Sequence, residues 1–255
     1  MKVADHISAI TQEAKLLAEA AEEAGLAASI DTCPGWDMRD LVRHLSEIHL
    51  WAGALVARRA TKMWVDDIAE LSGYWPDLAV FWPDDEKLIG WYLQTNANLV
   101  QALEAAPADA EMMTFLPAPS PRAMWARRQA HETAIHRFDA QNAAGSAFGF
   151  DAAFAADGID EMLSAFAPRG DKFAIESTKT MLVHADDTND SWHVTMSPVG
   201  ITTKRADDRA DVTLAGGASD LYLAVWNRGD SPSISVTGDR DVLTAWHEGH
   251  RIRWS

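Results

Sequence analysis

The spacing of apolar residues changes near residue 150, and this change most constrains how the chain can fold. Before it, apolar side chains recur every three or four residues, which places them on one face of an α-helix. After Phe150, short β-like runs alternate with turn signals such as Asp187-Thr188-Asn189-Asp190. Helices followed by strands predict an α+β fold whose two patterns belong to separate domains.

Four helices are predicted before this change. Their expected ranges are 3–24, 38–60, 85–105 and 122–144. Gly25 and Gly145 end the first and the fourth helix, because glycine readily adopts the backbone conformation that follows a helix. Asp37 caps the second helix, with Asp40 in its first turn. We therefore expect a four-helix bundle over residues 1–148.

A small α+β domain is predicted over residues 149–255. A helix over 151–166 begins it, and five β-like runs follow at 172–177, 180–185, 192–197, 201–204 and 211–214. A helix over 218–227, a strand over 233–237 and a helix over 239–248 complete the expected order.

The interval 61–84 has neither pattern. It contains Trp64, Trp75 and Trp82, and prolines interrupt its regularity. Long connections of this kind often form pocket walls or lids in compact domains, and we expect one of these roles here.

Charge and composition exclude several classes of protein. The formal net charge is −16, so the chain would be repelled by nucleic acid and by an anionic membrane surface. No apolar run approaches the roughly 20 residues that span a bilayer, and the N-terminus lacks an apolar signal core. Cys33 is the single cysteine, so no internal disulfide can form. We expect a cytoplasmic protein, either monomeric or homodimeric.

The fourth predicted helix contains a pair of residues with metal-ligand chemistry. Glu132 and His136 are four residues apart, which places a carboxylate and an imidazole on one helix face. His44 supplies a second imidazole from the second helix. Two histidines and one glutamate, with a fourth position left to water or substrate, form the ligand set of a catalytic zinc site. Spacing alone also allows Glu132 to pair with a nearby arginine while the histidines serve as ordinary polar residues.

Three further side chains are weaker candidates. His49 lies about 140° around the helix from His44, so one ion cannot easily reach both. His131 lies about 100° from Glu132 and would serve beside the site or at the surface. Cys33 is a soft zinc ligand by type, but it lies in a turn before the second helix.

Two groups of motifs resemble the maleylpyruvate isomerase family. The first comprises Cys33-Pro34-Gly35-Trp36, Asp40-Leu41-Val42-x-His44-Leu45 and His131-Glu132-x-x-x-His136-Arg137-x-Asp139. The second comprises Leu223-x-x-Trp226-Asn227-Arg228-Gly229, Val236-x-Gly238-Asp239 and Trp246. The resemblance implies a DinB-like, metal-binding four-helix domain followed by a sterol-carrier-like α+β domain.

The resemblance also implies site residues and a chemistry. His44, Glu132 and His136 match the positions that bind Zn²⁺, or another divalent transition metal, and Arg228 matches a catalytic arginine. Asn227 stands where the family pattern often has glycine. The implied enzyme uses mycothiol as its low-molecular-weight thiol: a metal-bound thiolate adds to a small electrophile, such as an unsaturated acid, in an isomerase or S-transferase reaction. A metal-dependent hydrolase and a non-enzymatic small-molecule-binding protein are the alternatives.

Overall fold

The computed structural model describes residues 1–62, 82–169, 175–229 and 231–249. The chain divides into two compact units, Met1–Phe148 and Gly149–Ser255. Helices dominate the first unit and a mixed sheet lies in the second, so the predicted α+β class is confirmed. Trp64 and Trp75, with most of the expected aromatic connection, lie outside the described residues.

Four helices make up the described part of the first unit. They are α1 (Val3–Ala24), α2 (Met38–Arg58), α3 (Asp85–Ala105) and α4 (Pro121–Ala144). Helix α1 packs against α4 and α3, and α2 packs against α3 and α4. Burial of apolar side chains such as Leu17, Leu41, Leu45 and Tyr92 holds these helices together.

The helix ends follow local chemistry that the sequence already indicated. Asp37 and Asp40 form a reciprocal capping box at the start of α2, with each side chain accepting from the other's backbone N–H at 3.0–3.1 Å. Gly145 follows α4 in the left-handed conformation, with φ of 69°. This capped helix carries His44.

The second unit contains one five-stranded sheet and three α-helices among its described residues. The strands are β1 (Lys179–Ala185), β2 (Asp190–Ser197), β3 (Gly200–Arg205), β4 (Val212–Gly216) and β5 (Ser235–Gly238), in the order β3-β2-β1-β4-β5. The helices are α5 (Ala152–Asp160), α6 (Ala218–Val225) and α7 (Arg240–Gly249). Only β1 and β4 run parallel among the paired strands, and α6 connects β4 to β5.

Two expectations for this unit differ from the structure. The helix predicted over 151–166 is α-helical only to Asp160, and it continues as a π-helical segment, Glu161–Phe166, and a short 3₁₀ turn, Ala167–Arg169. The strand predicted over 172–177 is not formed in its described part, 175–177. Within the described residues, no helix is both long and apolar enough to cross a membrane.

Candidate metal centre

Helix α4 is enclosed on nearly all sides, although many of its residues are polar. Its buried polar side chains are Arg128, Gln129, His131, Glu132, Thr133, His136, Arg137 and Asp139. Burying charged groups without partners costs several kcal/mol per ion, so a sequence that places so many along one helix requires specific pairing. The partners of these buried polar side chains outline the candidate site.

The three predicted ligands converge at one point. His44, Glu132 and His136 each present one potential ligand atom, and these atoms lie within 4.8 Å of one another. Glu132 Oε1 lies 3.4 Å from His44 Nε2 and 3.5 Å from His136 Nε2. Two imidazole nitrogens and one carboxylate oxygen are ligands that zinc accepts, so the residues present fit a divalent metal.

Glu132 divides its two carboxylate oxygens between two kinds of partner. Arg128 Nη2 donates to Oε2 at 2.8 Å, one helical turn earlier on α4, while Oε1 faces the two imidazoles. The arginine pairing predicted as the alternative to metal binding is therefore present. Because it uses Oε2, it leaves Oε1 facing His44 and His136, and both arrangements are compatible in one site.

His136 is held from its other ring nitrogen. Its Nδ1 lies 2.8 Å from Asp139 Oδ2, three residues later on the same helix. When a histidine donates Nδ1–H to a carboxylate, its Nε2 carries the lone pair that a metal needs. The side chain of His136 is only 1% exposed, whereas that of His44 is 16% exposed, so solvent reaches the cluster from the His44 side.

The charges around Glu132 and His136 shift the pKa values of both groups. Burial would raise the pKa of Glu132, but its contacts with His136, His44 and Arg128 together hold that pKa well below the usual value. Burial would lower the pKa of His136, but contacts with Asp139, Cys33 and Glu132 raise it well above the usual value. Without a metal, the cluster therefore favours a carboxylate beside a protonated imidazole.

The weaker candidates lie beside the cluster. His49 is fully buried, its Nε2 lies 2.9 Å from Thr133 Oγ1, and burial lowers its pKa to about 3, so it is a neutral packing residue. His131 is buried rather than at the surface, and its ring contacts that of His6 with 5.9 Å between centroids. Cys33 donates its thiol hydrogen to Asp139 at 3.5 Å.

Arg228 follows a turn with an unusual backbone in the second unit. Asn227 has φ of 57°, in the left-handed region that glycine and asparagine adopt most readily. Asparagine at this position can therefore adopt the same left-handed backbone conformation as glycine. The Arg228 backbone N–H donates to Leu223 O at 2.9 Å, and its Nη1 donates to Trp226 O at 3.3 Å.

Sequence reasoning gave no role to Asp139 and did not specify Arg128. Helical spacing could have identified both, because Asp139 lies three residues after His136 and Arg128 lies four residues before Glu132. No spacing rule could have found Thr32, whose hydroxyl donates to Asp139 at 2.6 Å from 107 residues away.

Comparison with known proteins identifies the family of this chain. The model of the mycothiol maleylpyruvate isomerase N-terminal domain matches residues 7–141, and the model of that family's C-terminal domain matches residues 153–245. A comparison with curated proteins found no match.

Solved structures of related fold agree with this result. A crystal structure of mycothiol-dependent maleylpyruvate isomerase aligns with a TM-score of 0.64 at 14% identity, covering 99% of this chain and 96% of that one. A histidine-to-alanine mutant of that enzyme aligns with a TM-score of 0.63 at 13% identity and the same coverage. At such low identity these likenesses show the shared fold. With one domain model matching more than half of its residues, the chain belongs to the mycothiol maleylpyruvate isomerase family.

Proposed function

We propose that this protein is a metal-dependent enzyme that uses mycothiol either to isomerise a small electrophilic acid or to attach the thiolate of mycothiol to it. The observation that carries the proposal is the convergence of His44, Glu132 and His136 within 4.8 Å. This convergence lies in the part of the chain matched by the mycothiol maleylpyruvate isomerase N-terminal domain. The related solved enzyme is described as a mycothiol-dependent maleylpyruvate isomerase, which supports the choice of thiol and of an unsaturated acid.

His44, Glu132 and His136 would hold Zn²⁺ or another divalent transition metal. A metal held there would favour the thiolate form of a thiol at its open position, and the thiolate is the nucleophilic form. Glu132 Oε1 would be its ligand, because Oε2 already accepts from Arg128 at 2.8 Å. His136 presents Nε2 to Glu132, 3.5 Å from Oε1.

Although the chain as a whole is acidic, the charges beside the proposed metal favour an anionic ligand there. Arg128 offsets the single negative charge of Glu132, and the two imidazoles bind a metal as neutral groups. Even with the buried Asp139 carboxylate counted, a bound divalent cation would keep part of its positive charge, which attracts a thiolate more strongly than a neutral thiol. His44, the most exposed of the three ligands, marks the side from which we propose that the thiol enters.

We assign Arg228 the role of gripping a carboxylate or enolate oxygen of the substrate. The assignment rests on the match of Trp226-Asn227-Arg228 to the family motif and on the planar fork that an arginine offers to a carboxylate. It requires an arginine specifically, because lysine offers a single charged point instead of two parallel donors.

A thiol-dependence assay tests the proposal. Zinc-loaded protein is incubated with maleylpyruvate, with related cis-unsaturated acids and with alkylating electrophiles, each in the presence and absence of mycothiol. We expect turnover that requires both the metal and mycothiol, and that is lost in His136→Ala. Glu13→Gln is the matched control, because it disturbs the buried Glu13–Arg137 pair of the same bundle, at 2.6 Å, without touching the cluster.

Two results would overturn this function. Metal-dependent hydrolysis without any thiol would favour the hydrolase alternative, in which the metal activates water. Stoichiometric metal with no turnover of any electrophile would favour a binding protein.

A further inference from the structure

The turn that precedes α2, Thr32–Trp36, has no assigned role in the proposed chemistry, although its Cys-Pro-Gly-Trp sequence is distinctive. Its backbone is closed by hydrogen bonds: Ile30 N–H donates to Trp36 O and Trp36 N–H donates to Cys33 O, both at 3.0 Å. Outside the turn, Met38 N–H donates to Ala28 O at 2.8 Å. These bonds hold the turn in one conformation, so its side chains are presented at defined positions.

Two side chains of this turn bind the same carboxylate. Thr32 Oγ1 donates to Asp139 Oδ1 at 2.6 Å, and Cys33 Sγ donates to Asp139 Oδ2 at 3.5 Å. Asp139 lies on α4 and is completely buried. A buried carboxylate that lacked donors would be strongly destabilising, so these contacts fix where the Asp139 oxygens lie.

The fixed Asp139 carboxylate in turn contacts His136, one of the three candidate ligands. Its Oδ2 lies 2.8 Å from His136 Nδ1, while Nε2 of the same ring lies 3.5 Å from Glu132 Oε1. A carboxylate accepts a hydrogen bond and cannot donate one when ionised. The neutral imidazole therefore carries its hydrogen on Nδ1 and directs the Nε2 lone pair toward Glu132 and His44.

The same turn also contacts both imidazole rings directly. The centroid of the Trp36 ring lies 5.0 Å from that of the His44 ring and 6.4 Å from that of the His136 ring. The Trp36 and His136 rings are nearly parallel, with 22° between their planes. The His44 and His136 rings meet edge to face at 5.2 Å. One short turn therefore limits the rotation of both histidines.

We propose that Asp139, held by Thr32 and Cys33, is the positioning residue that keeps His136 ready to bind metal through Nε2. Cys33, His136 and Asp139 also offer possible ligand atoms within 4.8 Å of one another, and in the proposed arrangement Cys33 acts as a hydrogen-bond donor to Asp139 instead of as a ligand. The metal part of this inference rests on the proposed function, whereas the hydrogen position on His136 does not. The Thr32–Trp36 turn is therefore part of the metal centre, although it supplies none of the three ligands.

The main test compares Asp139→Asn with the wild-type protein. Asparagine keeps the size of the side chain but removes the charge, and its amide can donate to Nδ1 and so favour the wrong tautomer. We expect the zinc affinity, measured by competition with a chromophoric chelator, to fall by about 10- to 100-fold, which is typical of losing such a partner. Thr32→Val, a milder change, should weaken zinc binding by a smaller factor.

A second measurement needs no metal. Nitrogen NMR of metal-free protein, at a pH where His136 is neutral, reports which ring nitrogen carries the hydrogen. We expect Nδ1–H in the wild type and a larger Nε2–H population in Asp139→Asn. Glu13→Gln is again the control: it should lower stability while leaving both the zinc affinity and the His136 tautomer unchanged.

Cobalt substitution tests the role of Cys33. Without added thiol, the Co²⁺-loaded wild type should lack a sulfur-to-cobalt charge-transfer band, and Cys33→Ser should retain the metal. A charge-transfer band lost in Cys33→Ser would show that Cys33 is a ligand and would overturn its role as donor.

The outcomes separate the inference from the proposed function. Unchanged zinc affinity and an unchanged His136 tautomer in Asp139→Asn would overturn the inference alone. A wild-type protein that binds no zinc would overturn the proposed function. In that case an Nδ1–H tautomer that depends on Asp139 would still support the positioning role, and its absence would overturn that role as well.

Discussion

At the scale of single residues, the ion pair between Arg128 and Glu132 determines how the cluster behaves without metal. Both side chains are buried, and Arg128 Nη2 lies 2.8 Å from Glu132 Oε2. Breaking a buried pair from one side leaves an uncompensated charge, and this costs about 3–5 kcal/mol. Each member of the pair therefore depends on the other, and Arg128 also orients the Glu132 carboxylate.

Replacing Arg128 tests this description. We expect Arg128→Gln to lower the free energy of unfolding by about 3 kcal/mol, because Glu132 loses its buried cation. Zinc should stabilise this variant more than the wild type, since the metal then provides the missing positive charge. Thermal unfolding with and without zinc measures the difference, and an equal zinc-induced shift in both proteins would contradict it.

The pH dependence of zinc binding follows from His136. Its pKa is raised well above the usual value, so a proton competes with the metal for the ring in metal-free protein. Zinc affinity should therefore fall as pH falls through that raised pKa, beginning above the value of about 6.5 for an ordinary histidine. The pKa of Glu132 is lowered, so this carboxylate stays ionised over the same range.

The stability of the metal-free protein changes with pH in the opposite direction from the zinc affinity. Because the folded-state pKa of His136 is raised, protonation contributes stability that is fully present below about pH 6.5 and is lost as pH rises through the raised value. Zinc should thus stabilise the protein most at the alkaline end. Chelator competition and thermal unfolding across pH 5.5 to 9 (about the working range of ordinary buffers) measure both trends, and a zinc affinity independent of pH would contradict the assignment of His136.

At the scale of elements, Gly238 at the end of β5 tests the packing of the sheet. It has φ of 97°, and a Cβ atom there would lie 2.2 Å from Asp211 O. Gly238→Ala should therefore cost more than the roughly 1–3 kcal/mol of backbone strain alone, because β5 must also move from its partner. Gly200→Ala is the matched control, since φ is 133° but no atom lies within 4 Å. Equal losses of stability in chemical denaturation would show that no collision occurs.

The elements also show how much of the fold the sequence could predict. The ranges of α1 and α3 match the prediction, and those of α2 and α4 differ by at most two residues, because apolar spacing and caps such as Asp37 and Gly145 are local signals. The π-helical segment Glu161–Phe166 was not predicted, because π-helix is rare and the apolar spacing over 151–166 is that of one continuous α-helix.

For the candidate site, the sequence indicated the residues that converge but not the contacts that hold them. Glu132 and His136 were proposed from spacing within one helix, and His44 was proposed to join them as an imidazole from a second helix, in agreement with the family resemblance. The contacts of Thr32 and Cys33 with Asp139 join residues more than 100 positions apart. Only the packing of α4 against the turn before α2 creates them, so no local rule could give them.

At the scale of the whole molecule, the proposed chemistry is divided between two compact units. The three candidate ligands belong to Met1–Phe148, and Arg228 belongs to Gly149–Ser255. Metal binding and substrate binding should therefore be separable by mutation, because each depends on residues of a different unit.

A substitution in the second unit tests this division. We expect Arg228→Lys to leave the zinc affinity unchanged and to lower kcat/KM for an unsaturated acid by at least about 10-fold, because lysine cannot form the bidentate contact. Steady-state kinetics beside chelator competition gives both values. Unchanged kinetics would remove Arg228 from the proposed mechanism, and a lost metal would show that the substitution acts on the first unit instead.

The central claim is that His44, Glu132 and His136 hold one divalent metal, and metal stoichiometry tests it most directly. Protein purified without chelators and then equilibrated with zinc is analysed for metal content, with His44→Ala, Glu132→Gln, His136→Ala and the control Glu13→Gln treated in parallel. We predict one equivalent of zinc in the wild type and in Glu13→Gln, and a fraction of that or none in the three ligand variants. A wild-type protein without stoichiometric metal, or a His136→Ala variant that keeps a full equivalent, would contradict the account.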